Sequence, residues 1–142
     1  MSVFLLDANV LIALAWPDHA SHRRALNWFA RKSRNGWATC PVTQSAFVRI
    51  LSNPAFSMKA LSPQNAMAAL EMNLKLPGHH FWHDSVSMGE VFQLLGKCVI
   101  GHRQITDAYL FALAVHHRGV LATMDESIPT LGDGNSVELI PM

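Results

Sequence analysis

The stretch Val3-Phe4-Leu5-Leu6-Asp7-Ala8-Asn9-Val10-Leu11-Ile12-Ala13-Leu14 decides the reading of the whole chain. Its first four residues form a short apolar run that predicts a strand buried on both faces. The residues after Asp7 predict a helix lying under that strand. Asp7 then stands at the C-terminal end of the strand, where open α/β sheets place their ligands. The chain has only ten acidic residues in 142, so an aspartate inside so apolar a segment calls for a reason. Left unpaired in the interior, it would cost several kcal/mol. A metal ion is the most economical partner.

Working outward, strand and helix patterns alternate, which predicts a mainly parallel sheet flanked by helices. The first strand is read as Val3 to Asp7 and the first helix as ending near Trp16, stopped by Pro17. Asp18 is the expected cap of a second helix from Ala20 to Ser33. Gly36 precedes a second strand, Trp37 to Cys40, and a helix follows from Val42 to Leu51. Asn53-Pro54 closes it. Ser62-Pro63 opens a further helix with Met67, Leu70 and Leu74 at core spacing. A short third strand is expected at His80 to His83, and a helix at Ser87 to Leu95. The segment Ile105 to His117 is apolar nearly all round, which predicts a buried helix, with Gly119 as its cap. A fourth strand is expected at Val120 to Met124, a turn at Gly132 to Gly134 and an edge strand at Val137 to Ile140. There are no internal repeats and no linker, so residues 1–142 are expected to form one domain.

Composition narrows the function classes. Half the residues are hydrophobic and the formal net charge is +1, so no global charge commits the chain to nucleic acid or to a membrane. The N-terminus lacks the basic start of a signal peptide, and no apolar stretch reaches the roughly 18 residues that cross a bilayer. The two cysteines, Cys40 and Cys98, fit neither a disulfide framework nor a paired-cysteine metal site. A cytoplasmic protein with reduced thiols is the expectation.

Three aspartates occupy equivalent places in this scheme. Asp7 ends the first strand and Asp125 ends the fourth. Asp107 lies in the first turn of the buried helix, after Thr106 as candidate cap, where the helix dipole favours a negative charge. Converging at one sheet edge, they would repel unless a divalent cation neutralised them. Oxygen-only ligation suits Mg²⁺ or Mn²⁺ and not zinc. Such a site fits metal-assisted hydrolysis of a phosphodiester. Each acid also has a plainer reading: Asp107 as a helix-start residue, Asp125 as a turn residue. The histidines His79, His80 and His83 lack a fourth zinc ligand at suitable spacing. Arg23, Arg24, Arg31, Lys32 and Arg34 read first as a solvated helix face. Arg103 is placed to hold a phosphate, because Gly101-His102-Arg103-Gln104 leads directly to Asp107.

These residues carry a resemblance. Leu5-Leu6-Asp7-Ala8-Asn9-Val10-Leu11, Thr106-Asp107-Ala108-Tyr109-Leu110 and Leu121-Ala122-Thr123-Met124-Asp125 resemble the motifs of PIN-domain nucleases, in particular the VapC toxins of bacterial toxin–antitoxin pairs. Thr39 to Gln44, Phe47 to Arg49 and Gly101 to Gln104 resemble one VapC subgroup. The resemblance implies a PIN-like three-layer α/β/α fold around a central, mainly parallel sheet. It implies a Mg²⁺- or Mn²⁺-dependent endoribonuclease, with Asp7, Asp107 and Asp125 as catalytic and metal-binding acids. Thr123, Asn9 and Gln44 would be supporting residues and Arg103 an RNA contact. The implied partners are RNA, a VapB-like antitoxin and a second copy of the chain, with no membrane. The family often carries a further glutamate on the helix after the second strand; here Val42 to Leu51 has no carboxylate and Gln44 is the nearest polar residue. Two other readings compete. One is a non-catalytic RNA- or partner-binding module. The other is a phosphate-accepting α/β domain with Asp7 as nucleophile, disfavoured because Asn9 stands where phosphatases of that kind carry a second aspartate.

Overall fold

The computed structural model describes residues 2–132 and 134–142. Five short strands form one sheet: β1 (Phe4–Leu6), β2 (Trp37–Thr39), β3 (His79–Phe81), β4 (Val120–Thr123) and β5 (Val137–Leu139). Their order is β3-β2-β1-β4-β5 and all the pairings are parallel. Parallel neighbours need long crossovers, and the helices supply them: α1 (Ala8–Ala15), α2 (His22–Lys32), α3 (Pro41–Leu51), α4 (Pro63–Leu74), α5 (Met88–Leu95) and α6 (Ile105–His116).

The central strands β1, β2 and β4 are buried on both faces, which explains their largely apolar sequences; the edge strands β3 and β5 are partly exposed. Register sets Leu5 beside Ala38 and Leu121, and these three pack with Leu110, Leu113 and Val91 under α5 and α6. The alternate residues Phe4, Leu6 and Trp37 face the other way and pack with Val10, Trp28, Phe47 and Leu70 from α1 to α4. The result is three layers, α/β/α. Phe47, Trp28 and Trp37 are among the largest fully buried side chains, and Phe4 meets Trp28 edge-on at 5.2 Å between ring centroids.

Several expectations need correction. Asp18 does not cap the second helix: a turn over 17–21 intervenes, Ser21 stands at the cap without a side-chain bond, and Asp18 lies 3.9 Å from Lys59. Met67 is 38% exposed, and Ala66 with Leu70 forms the buried face of α4 instead. β3 begins at His79, one residue early, because His79 pairs with Trp37 and not with a later residue. The end of α6 is closed by a Schellman pair, Arg118 N–H to the Val115 carbonyl at 3.0 Å and Gly119 N–H to the Ala114 carbonyl at 2.8 Å. The left-handed residue is Arg118, at φ 56°, and not Gly119. Gly119 is required for a different reason: a Cβ there would sit 2.6 Å from the Val3 carbonyl and 2.7 Å from the Trp82 ring. The expected turn at 132–134 includes Asp133, which lies outside the described residues. Among the described residues no helix is long and apolar enough to cross a membrane.

Candidate active site

Every crossover from this sheet leaves its strand at the same edge, so residues just after β1 and β4 become neighbours. Asp7 follows β1 directly. Its backbone N–H continues the ladder to the Ala122 carbonyl at 2.9 Å, and its extended φ/ψ makes it the N-cap of α1. One carboxylate oxygen, Oδ1, accepts from Ala8 N–H at 2.8 Å; the other, Oδ2, accepts from Thr123 Oγ1 at 2.8 Å. The Thr123 hydroxyl oxygen in turn accepts from Asp125 N–H at 3.0 Å. One buried hydroxyl thus fixes Asp7 and the chain entering Asp125 together. Asn9, the second residue of α1, adds a long contact of 3.4 Å from Met124 N–H to its Oδ1, tying the helix to the end of β4.

Asp107 reaches the same edge from the first turn of α6. Gln104, not Thr106, occupies the cap position, and Thr106 is already helical; Gln104 Oε1 is turned back to accept from Ile100 and Gly101 N–H. Asp107 itself makes no side-chain hydrogen bond and no ion pair among the described residues. Its carboxyl is pushed up to about 6, by burial first and then by the charges of Asp7 and Asp125. The Asp7 carboxyl is also raised: burial outweighs the lowering effect of its bonds from Thr123 and Ala8, and Asp125 adds repulsion. The three acids therefore feel one another, and none has a basic partner among the described residues.

They do not, however, close on a single point. Among the described residues no group of three or more His, Cys, Asp or Glu side chains is arranged to hold a metal ion. Asp125 accounts for part of this. Its Oδ1 accepts from Ser127 N–H at 2.9 Å and from Ser127 Oγ at 2.7 Å, which turns the carboxylate toward the following loop. Mutual repulsion acts in the same sense, since unneutralised like charges stand off. The donor set still fits a hard divalent cation: it is oxygen only and, among the described residues, free of a competing lysine or arginine, and burial raises the carboxyls of Asp7 and Asp107.

The remaining candidates divide. Thr123 bonds the Asp7 carboxylate and the Asp125 backbone N–H. Gln44 is directed elsewhere: its Nε2 donates to Thr39 Oγ1 at 2.9 Å, and Thr39 Oγ1 lies 2.7 Å from His79 Nε2. That chain links α3, β2 and β3 and was not visible in the sequence, because it depends on the register of the edge strand. Arg103 lies exposed in a short 3-10 turn, His102–Gln104, without a protein partner among the described residues. Asp84 accepts a hydrogen bond from Tyr109 OH, and burial together with that bond drives the tyrosine hydroxyl far above its ordinary value. Asp84 thus serves Tyr109, two residues beyond Asp107 in the chain.

Fold and site together define a parallel α/β protein whose uncompensated carboxylates gather at the C-terminal edge of the sheet. The PIN domain pattern matches residues 4–133, and the chain belongs to the PIN-domain family. It is similar along most of its length to ribonucleases of Mycobacterium tuberculosis. VapC39 is 40% identical over 141 residues, covering 96% of this chain and 98% of that protein. VapC29 is 42% identical over 137 residues, covering 96% of both. Among solved structures, Mycobacterium tuberculosis VapC20, described as a sarcin–ricin loop cleaving toxin, superposes with a TM-score of 0.66 at 17% identity, over 97% of this chain and 99% of that one. VapBC2 from Rickettsia felis, bound to a DNA fragment from its promoter, gives 0.60 at 15% identity, over 98% and 99%. These two likenesses concern the fold.

Proposed function

We propose that this chain is the ribonuclease toxin of a toxin–antitoxin pair, and that it hydrolyses RNA phosphodiester bonds with the help of Mg²⁺ or Mn²⁺. The observation that carries the reading is the pair Asp7 and Asp107: two carboxylates with raised pKa and no basic partner, on the edge where parallel sheets bind ligands, in a PIN-domain chain. Asp7 and Asp107 would hold the cation, with Asp125 joining once its side chain leaves Ser127. A bound divalent ion supplies Lewis acidity toward the phosphate oxygens and the attacking water. The chain's own residues do the positioning. Ala8 N–H and Thr123 Oγ1 fix both oxygens of Asp7, so its orientation is set before substrate arrives. Arg103, exposed just ahead of Asp107, is available to a substrate phosphate. A VapB-like antitoxin and a second copy of the chain are the proposed partners, and the cytoplasm the proposed location.

The test is incubation of the purified protein with total RNA, with Mg²⁺, with Mn²⁺ and with EDTA, beside Asp7→Ala and Asp107→Asn. Metal-dependent degradation that both variants lack is the expected outcome. A second reading, a non-catalytic RNA- or partner-binding module, draws on the stand-off of Asp125 and on the absence of a carboxylate from α3. RNA left intact under all three conditions selects it. The phosphate-accepting reading gains nothing from the structure: Asp7 is 8% exposed and both its oxygens already accept hydrogen bonds.

A further inference from the structure

At the opposite, N-terminal edge of the sheet lies a second concavity, of about 610 Å³, walled by Arg31, Lys32 and Arg34 where α2 ends. Its floor includes Phe4 and Val137, the starts of β1 and β5. Glu138 supplies its acid, and that acid is occupied: Glu138 accepts from Trp28 Nε1 and lies 3.5 Å from Lys32 Nζ. Lys32 is therefore neutralised in place. Among the described residues Arg34 has no protein partner and Arg31 uses only Nε, at 3.4 Å on the Asn27 carbonyl; both side chains are exposed. Over the described lining residues the charge is three basic against one acidic. In a chain of net charge +1, that is a local concentration of positive charge, at the sheet edge opposite the one that carries Asp7.

We propose that this cleft is a second RNA-binding site, in which Arg31 and Arg34 hold backbone phosphates of a strand whose scissile bond lies at the aspartate edge. The inference rests on the proposed RNA substrate and adds where the rest of that substrate is held. Two features favour a polynucleotide over a lone anion. Two arginines three residues apart at the end of a helix present two forks, suited to successive phosphates. The cleft and Asp7 sit at the two ends of β1, so a single phosphate group cannot serve both, whereas a folded or extended strand can run from one to the other.

The experiment measures binding of a fluorescent RNA of about 30 nucleotides to the full chain in EDTA, by anisotropy, across a salt series. Arg31→Gln with Arg34→Gln removes two phosphate contacts. The slope of log K against log salt is expected to become shallower by about 1.4, with affinity at 0.1 M salt reduced roughly twenty-five-fold. Lys75→Gln with Lys97→Gln, two exposed charges outside the cleft, is expected to retain most of the affinity. Circular dichroism melting confirms that each variant is folded; both arginines are exposed, and single substitutions serve if the pair fails to fold. Unchanged slope and affinity in a folded arginine variant overturn the proposal, as does a wild-type protein that binds no RNA. An equal loss in the lysine variant also overturns it, because the charge effect is then not local. Cleavage of the same RNA with Mn²⁺, by wild type and by Asp107→Asn, is read separately. Cleavage with normal binding in the arginine variant sinks the cleft alone, whereas arginine-dependent binding without cleavage supports the cleft and sinks the nuclease.

Discussion

Asp107→Asn should make the metal-free protein more stable while it removes activity. The Asp107 carboxyl is held at about 6 in the folded chain against an ordinary 3.8, so the folded state binds its proton more tightly than the unfolded state does. Between those two values stability falls as pH rises, and above about pH 6 the loss is complete and constant. A rise of that size corresponds to about 3 kcal/mol at 1.36 kcal/mol per pH unit. Asp107 is only half-buried, and solvent screening reduces the figure to about 1.5 kcal/mol. The charge also gains about 0.5 kcal/mol from the dipole of α6, which asparagine forgoes. The net expectation at pH 7.5 is a gain of about 1 kcal/mol, or about 3–4 °C in Tm for a chain of this size. Urea or thermal unfolding in EDTA measures it, repeated down to pH 4, where the two proteins should converge. Saturating Mn²⁺ should reverse the order, since only the wild type then gains binding energy. A variant no more stable than wild type at pH 7.5 in EDTA, or a difference that widens toward acid pH, refutes the reasoning.

Three further outcomes follow from single contacts. Thr123→Val removes the hydroxyl that donates to Asp7 and accepts from Asp125 N–H, leaving two buried polar groups short of a partner; a loss of about 1–3 kcal/mol in urea unfolding and a large fall in RNA cleavage are expected. Arg118→Gly relieves a left-handed residue at the end of α6 and should raise stability by about 0.5–1 kcal/mol, with cleavage unchanged. Gly119→Ala, its neighbour, should cost more than 2 kcal/mol, because the new Cβ meets backbone and a tryptophan ring; a variant as stable as wild type by thermal melting would show that β4 can shift to make room.

The layers of this fold were legible because the central strands are largely apolar and the long helices keep an apolar face; only packing on both sides of a parallel sheet satisfies that pattern. The acidic edge was legible for a related reason: Asp7 and Asp125 follow apolar strands, and Asp107 lies in the first turn of a helix whose residues are mostly buried. Side-chain direction was not. Gln44 looked like a stand-in for a missing acid, but its amide reaches Thr39, a contact set by how β2 registers with its neighbours. Asp125 lies where expected in the chain, yet its carboxylate answers to Ser127, two residues on, through a local turn that competes with any shared site. Helix starts were misplaced for similar reasons. Asp18 and Thr106 are good capping types, but a turn over 17–21 and a 3-10 turn at His102–Gln104 set where α2 and α6 begin. At 118–119 local propensity and packing conflict. Glycine would suit the left-handed site at 118, but close approach to Val3 and Trp82 claims it for 119, and an arginine takes the unfavourable backbone.

The two principal acids are not equivalent as probes of function, and the difference follows from their bonds. Asp7 caps α1, accepts from Thr123 and is 8% exposed, so replacing it removes a helix cap worth about 1 kcal/mol and orphans a buried hydroxyl. An inactive Asp7 variant therefore conflates chemistry with folding. Among the described residues Asp107 makes no hydrogen bond; it half faces solvent and carries a charge that burial and the neighbouring acids penalise. Loss of cleavage in a better-folded Asp107→Asn protein would separate catalysis from structure in a way that no substitution at Asp7 can.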